Sequence, residues 1–137
     1  MLPCKTKQVS FFSFILYWDR FFITALHLAA KMNNYQTVEI LLDLNINVLM
    51  QDINGNNALH IACSRGHLET SRVLLDRKVY VLSETNNKGQ TVLHCLAHSP
   101  EKSSASAIFD HLINQYSDLD LNSRDAEGNT ALLVGNF

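Results

Sequence analysis

The chain has 137 residues, 47% of them hydrophobic and 18% charged, with a formal net charge of −2. That balance suits one soluble domain, and the near-neutral charge supplies no basic field of the kind that draws nucleic acid. Its three cysteines, Cys4, Cys63 and Cys95, are odd in number and argue against a disulfide framework and for a reducing, intracellular compartment.

Residues 1–23 fit the rest of the chain least. They hold Phe11, Phe12, Phe14, Phe21 and Phe22 with Tyr17 and the only tryptophan, Trp18. Lys5 and Lys7 precede an apolar run from Val9 to Trp18, which gives a targeting or anchor reading for residues 9–23. Against it, no small-x-small cleavage site follows and Asp19 and Arg20 interrupt the run. The run is also only about ten residues long, where a spanning helix needs about 20. Two other readings stay open: a cap over the exposed end of an array, and a foreign sequence joined to it where the pattern begins at Thr24.

From Thr24 onward the chain repeats itself. Thr24-Ala25-Leu26-His27 returns as Asn57-Ala58-Leu59-His60 and as Thr91-Val92-Leu93-His94, at offsets of 33 and 34 residues, and Thr130-Ala131-Leu132 opens a fourth copy. A period in this range marks a solenoid, whose units bury their apolar faces against one another. In the second unit Asn57 is a helix N-cap; Ala58, Leu59, Ile61, Ala62 and Cys63 form an apolar face, and Gly66 ends the segment. Residues 68–75 form the next helix, with Leu68, Val73, Leu74 and Leu75 as its buried stripe. The first unit repeats this with Leu26, Leu28, Ala29 and Ala30, then Val38, Ile40, Leu41 and Leu42. Helices this short, joined by a tight turn, pack antiparallel. Polar turns between the pairs, Gln51 to Gly55 and Asn86 to Gly89, form hairpin-like fingers. Residues 98–104 read as a polar, mobile insertion between the two helices of the third unit.

The run Asp52-x-x-Gly55-x-Asn57-Ala58-Leu59-His60-x-Ala62, then Gly66-His67 and Val73-Leu74-Leu75, closely resembles the ankyrin repeat. The openings Asn86-x-x-Gly89-x-Thr91-Val92-Leu93-His94 and Asp125-x-x-Gly128-x-Thr130-Ala131-Leu132 resemble it too. The resemblance implies an all-α ankyrin-repeat solenoid of stacked antiparallel helix pairs joined by finger loops. Its units are about 24–51, 52–85, 86–124 and a truncated 125–134, with a short tail at 135–137. The family's proline after the cap residue is Ala25, Ala58, Val92 or Ala131 here. Its turn after the second helix is Asn45-Ile46 in the first unit, which Asn tolerates, and Lys78-Val79 in the second, where strain is expected. The run Arg124 to Leu133, with the third unit's insertion, is similar to the arrays of endosomal FYVE-containing ankyrin-repeat proteins. No FYVE cysteine cluster is present, so phosphoinositide binding is not implied.

Catalytic and metal chemistry find little support in this pattern. His27, His60 and His94 share one repeat position, a whole unit apart, and are expected to bond their own cap residue and a neighbouring turn. His60 and Cys63 have no second pair at zinc-ligand spacing. Ser64 and Ser83 have no strained elbow or orienting third group, and the five glycines form no phosphate loop. No enzyme activity, cofactor, nucleic acid or small-molecule substrate is expected. Resemblance to ankyrin arrays implies instead that a protein partner docks on a concave face at Lys31, Met32, Ile53, Asn54, Asn56, Ser64, Arg65, Asn87, Lys88, Gln90 and His98. Lys31, Arg65 and Lys88 give that set a mild positive bias suited to a partner with acidic groups. The expected setting is a cytoplasmic scaffold or adaptor, with an endosomal association implied by the second resemblance. Alternatives are a membrane-tethered trafficking component held by residues 9–23, and a truncated array with little independent activity.

Overall fold

The structure, a computed structural model, describes residues 24–77, 84–116 and 119–134. Its helices are α1 (Ala25–Lys31), α2 (Tyr35–Asp43), α3 (Ala58–Ser64), α4 (Leu68–Arg77), α5 (Val92–Ala97), α6 (Lys102–Gln115) and α7 (Ala131–Val134), and no strand occurs among the described residues. The first three start where a cap side chain satisfies a free amide. Thr24 and Asn57 accept the backbone N–H of His27 and His60, three residues on, at 3.3 and 3.0 Å, and Asn34 accepts that of Thr37 at 3.2 Å. The first helix of each of the first two pairs ends in a reversal, at Asn33 (φ 56) and Gly66 (φ 70), both left-handed.

Two stacks result. The inner helices α1, α3, α5 and α7 pack side by side, and so do the outer helices α2, α4 and α6, while α1–α2, α3–α4 and α5–α6 pack as antiparallel pairs. One apolar core runs between the stacks, from Leu26, Val38 and Leu41 through Leu59, Leu74 and Leu75 to Leu93, Leu96, Ile108 and Leu112. Cys63 and Cys95 lie within it as small apolar residues. Burial pushes both thiols up, that of Cys95 to about 12, so neither is an available nucleophile near neutral pH.

Two expectations are corrected. Leu28 and Ile40 are 50% and 61% exposed rather than core. Their counterparts in the second unit, Ile61 and Val73, are partly buried against the core. The outer helix α4 also buries two polar residues, Thr70 and Ser71, that the apolar stripe passes over. Thr70 donates to Asn33 Oδ1 at 2.9 Å, and Ser71 Oγ sits 3.8 Å from Cys63 Sγ. Finally, residues 98–104 are not an insertion between helices. The connection in the third unit, His98 to Glu101, is one residue longer than Met32 to Asn34 or Arg65 to His67, and the remaining residues lengthen α6. Ser99, buried, accepts the Glu101 amide at 3.2 Å, and Lys102 Nζ donates to the Ala97 carbonyl at the end of α5 at 2.8 Å. Asn45 adopts the left-handed turn expected of it, at φ 59. The readings of residues 1–23, Lys78-Val79 and the tail at 135–137 lie outside the described residues.

Two finger glycines give a graded test. Both take positive φ, 79 at Gly55 and 82 at Gly128. A methyl group at Gly55 would meet the Asn87 side chain and lie 2.5 Å from the Asn87 backbone nitrogen, whereas at Gly128 it would meet nothing within 4 Å. Gly128→Ala is expected to cost about 1 kcal/mol, the conformational penalty alone, and Gly55→Ala about 3 kcal/mol, with overpacking added. Urea denaturation of the two variants checks the order; equal losses would refute the close approach of the fingers.

Candidate partner-binding surface

The three fingers follow one hydrogen-bond plan. Asp52 Oδ1 accepts the amides of Asn54 and Asn56, both at 2.9 Å, and the Asp52 amide donates back to the Asn56 carbonyl. Asn86 does the same for Lys88 and Gln90, and Asp125 for Glu127 and Asn129. A short side chain with an acceptor oxygen three bonds from Cα is what such a turn requires. In the third finger the amide of Asn129, helped by that of Glu127 and by the nearby His94 and His98, holds the Asp125 carboxyl below the usual carboxylate range.

The finger tips are joined in a row. The Asn87 amide donates to the Asn54 carbonyl at 3.0 Å and the Ala126 amide to the Lys88 carbonyl at 2.8 Å. Asn87 Nδ2 adds a bond to the Ile53 carbonyl at 2.9 Å.

The histidines tie this row to the inner helices. His27 Nδ1 accepts from the Thr24 amide at 3.2 Å, and its Nε2 donates to the Asn56 carbonyl at 2.9 Å. His60 Nδ1 accepts from the Asn57 amide, and its Nε2 lies 3.2 and 3.1 Å from the carbonyls of Glu84 and Gln90. His94 Nδ1 accepts from the Thr91 amide, and its Nε2 reaches the Asn129 carbonyl at 2.8 Å. Each imidazole therefore links its own cap residue to the residue just ahead of the next cap. Burial holds the pKa of His27 and His60 below the ordinary 6.5, and the backbone donor facing Nδ1 leaves no place there for a second proton.

Between the fingers and the inner helices lies an open cleft of about 490 Å³. It brings together seven of the residues expected at a docking face: Asn54, Asn56, Ser64, Asn87, Lys88, Gln90 and His98. Lys31, Met32, Ile53 and Arg65 are exposed but do not line it. Several of the seven are committed to the scaffold. Asn56 Oδ1 and Gln90 Oε1 accept from Asn86 Nδ2, Asn87 bonds Ile53, and Ser64 donates to the Ile61 carbonyl. The cleft also takes in Asn86, Cys95, Asp125, Glu127 and Asn129. Asp125 and Glu127 change the expected charge: beside Lys88 stand two carboxylates, so the surface is mixed rather than mildly positive. The repeat alignment held the signal for this, since Glu127 occupies the finger position of Asn54 and Lys88. Among the described residues no group of three or more His, Cys, Asp or Glu side chains could hold a metal ion, and no helix is long and apolar enough to cross a membrane.

Stacked helix pairs, a row of linked fingers and a cleft between them define a repeat-built interaction scaffold. The family model for ankyrin repeats, in three copies, matches residues 4–85, and the chain belongs to the ankyrin-repeat family. The match begins upstream of Thr24 and ends at Thr85, just ahead of the finger that leads into the third unit. No curated protein matches the chain at a significant level. Ankyrin repeats are general protein–protein interaction modules, and the family is one of non-enzymatic scaffolds.

Two measurements test the histidine and cap network. The depressed pKa values of His27 and His60 mean that the unfolded chain takes up protons before the folded one does as pH falls below 6.5. Their contribution to stability is therefore complete above that value and is lost progressively below it. Thermal unfolding followed from pH 7.5 to pH 5 should show a falling Tm, and a flat profile would contradict the buried neutral imidazoles. At the second cap, Asn57 Nδ2 is buried with no hydrogen-bond partner, where the other units have a Thr hydroxyl 2.9 or 3.0 Å from the His Nδ1. Asn57→Thr should stabilise the chain by about 1 kcal/mol in urea denaturation by removing that orphan donor.

Proposed function

We propose that this chain is a non-enzymatic scaffold or adaptor module that takes a protein partner into the cleft between its fingers and inner helices. The observation that carries the reading is that cleft, bordered by exposed Asn54, Lys88, Glu127 and His98, whose side chains make no hydrogen bond or ion pair among the described residues. Scaffold side chains already bonded to one another shape the surface; the free ones are left to recognise. Arg65 and Met32, at the inner-helix ends in the positions equivalent to His98, extend the same face beyond the cleft, and Lys31 and Ile53 flank it. Similarity of the Arg124 to Leu133 run to the array of rabankyrin, an endosomal FYVE-containing protein, directs the search for the partner to endosomal trafficking, with the chain on the cytoplasmic side.

Affinity capture with the whole chain identifies the partner, and titration calorimetry then measures it. The double variant Arg65→Glu, Lys88→Glu should weaken binding by roughly tenfold or more, since exposed interface charges act through complementarity, while far-UV circular dichroism stays unchanged. Binding unaffected by the double variant would remove this face as the docking site. Co-sedimentation of the captured partner with endosomal membranes tests the trafficking assignment separately.

A further inference from the structure

The finger tips carry an ordered set of side chains. Asn54, Lys88 and Glu127 occupy the same position in successive fingers, each two residues after the turn-forming Asp52, Asn86 or Asp125. The backbone bonds from Asn87 to Asn54 and from Ala126 to Lys88 hold the three in a row, so the order neutral, positive, negative is built into the backbone. Lys88 and Glu127 are exposed neighbours of opposite sign, yet they form no ion pair with each other or with any described residue. The contrast lies on the outer helices, where Arg77 of one unit and Asp43 of the preceding one do pair, at 2.6 Å. Asp125 sets a second carboxylate beside Glu127 at the cleft wall, and its Oδ1 is already occupied by two backbone amides.

We propose that this row reads the charge order of a short peptide segment of the partner, with a carboxylate placed against Lys88 and a cationic side chain against Glu127 and Asp125. The inference rests on the docking reading above and adds to it the chemistry and direction of the bound segment. A cleft of about 490 Å³ admits a few side chains from an extended segment or loop rather than a flat protein face. Complementary placement of charge sets register and rejects the reversed order, because reversal puts like charges together at both tips. Asn54, at the end of the row, bonds a polar group of either kind and leaves the order to the other two.

The test uses a displayed library of random peptides selected against the whole chain and, in parallel, against the double variant Lys88→Glu, Glu127→Lys. The two substitutions conserve net charge and touch no side chain that bonds the scaffold, and circular dichroism verifies the fold. The wild-type chain should enrich peptides with an acidic and a basic residue at constant separation and order. The variant should enrich the opposite order, and peptides from the first selection should bind it about tenfold or more weakly. Peptides without charge order, or with the same order against both proteins, would overturn the inference. A third arm with His98→Trp, which fills the cleft, separates the two failures. Peptides blocked by His98→Trp but indifferent to charge reversal leave the cleft reading standing and defeat the charge order. Peptides indifferent to both, or no enrichment at all, defeat both readings.

Discussion

The array depends on one buried link, made three times: a histidine in the first turn of each inner helix that donates from Nε2 to a main-chain carbonyl just ahead of the next unit's cap. On its other side the same ring accepts the amide of its own cap residue. The link is short, almost fully withdrawn from water and works only in one tautomer, so it fixes both the helix start and the spacing to the next unit. Core packing alone would let neighbouring helix pairs slide, because apolar contact has no preferred register. The histidines supply that register. The fingers inherit it, since the carbonyl accepting each histidine bond belongs to the closing residue of a finger turn.

Much of this is visible in the residues. The T-x-L-H openings name the cap and the link together. Gly66, Gly55, Gly89 and Gly128 stand at the positive-φ turns, and the paired leucines of α2 and α4 mark the core. What escapes is whatever depends on the neighbouring unit. Leu28 and Ile61 look alike in sequence, yet one is half exposed and the other is packed against the core. The burial of Thr70 and Ser71 is not visible in the helix's own periodicity, because their partners are Asn33, in the turn of the preceding unit, and Cys63 of α3. The cleft shows the same pattern. Its carboxylates, Asp125 and Glu127, lie in the third finger, at the opening of the fourth unit and beyond the expected docking residues, which end at His98.

The third unit shows how the fold absorbs irregular sequence. Pro100 and the serine-rich run after it have loop-like composition, yet Ser99 and Lys102 satisfy the backbone groups at the junction and α6 starts at once. A tendency toward turns was overridden by two local bonds and by Ala105, Ile108 and Leu112, which place an apolar stripe on the core. Tyr116, at the far end of this helix, donates to the Leu75 carbonyl at 3.4 Å, so the longer helix is held at both ends.

The acceptors of the histidine links are peptide oxygens, which every amino acid provides. The side chains of Asn56, Gln90 and Asn129 at those positions do not make the histidine joint, and at the tips Asn54, Lys88 and Glu127 are freer still. Mutation at Asn54, Lys88 and Glu127, whose side chains bond nothing in the scaffold, can therefore rewrite what the surface displays without loosening the frame beneath it. In this architecture, inherited variation in specificity and inherited variation in stability fall on different residues.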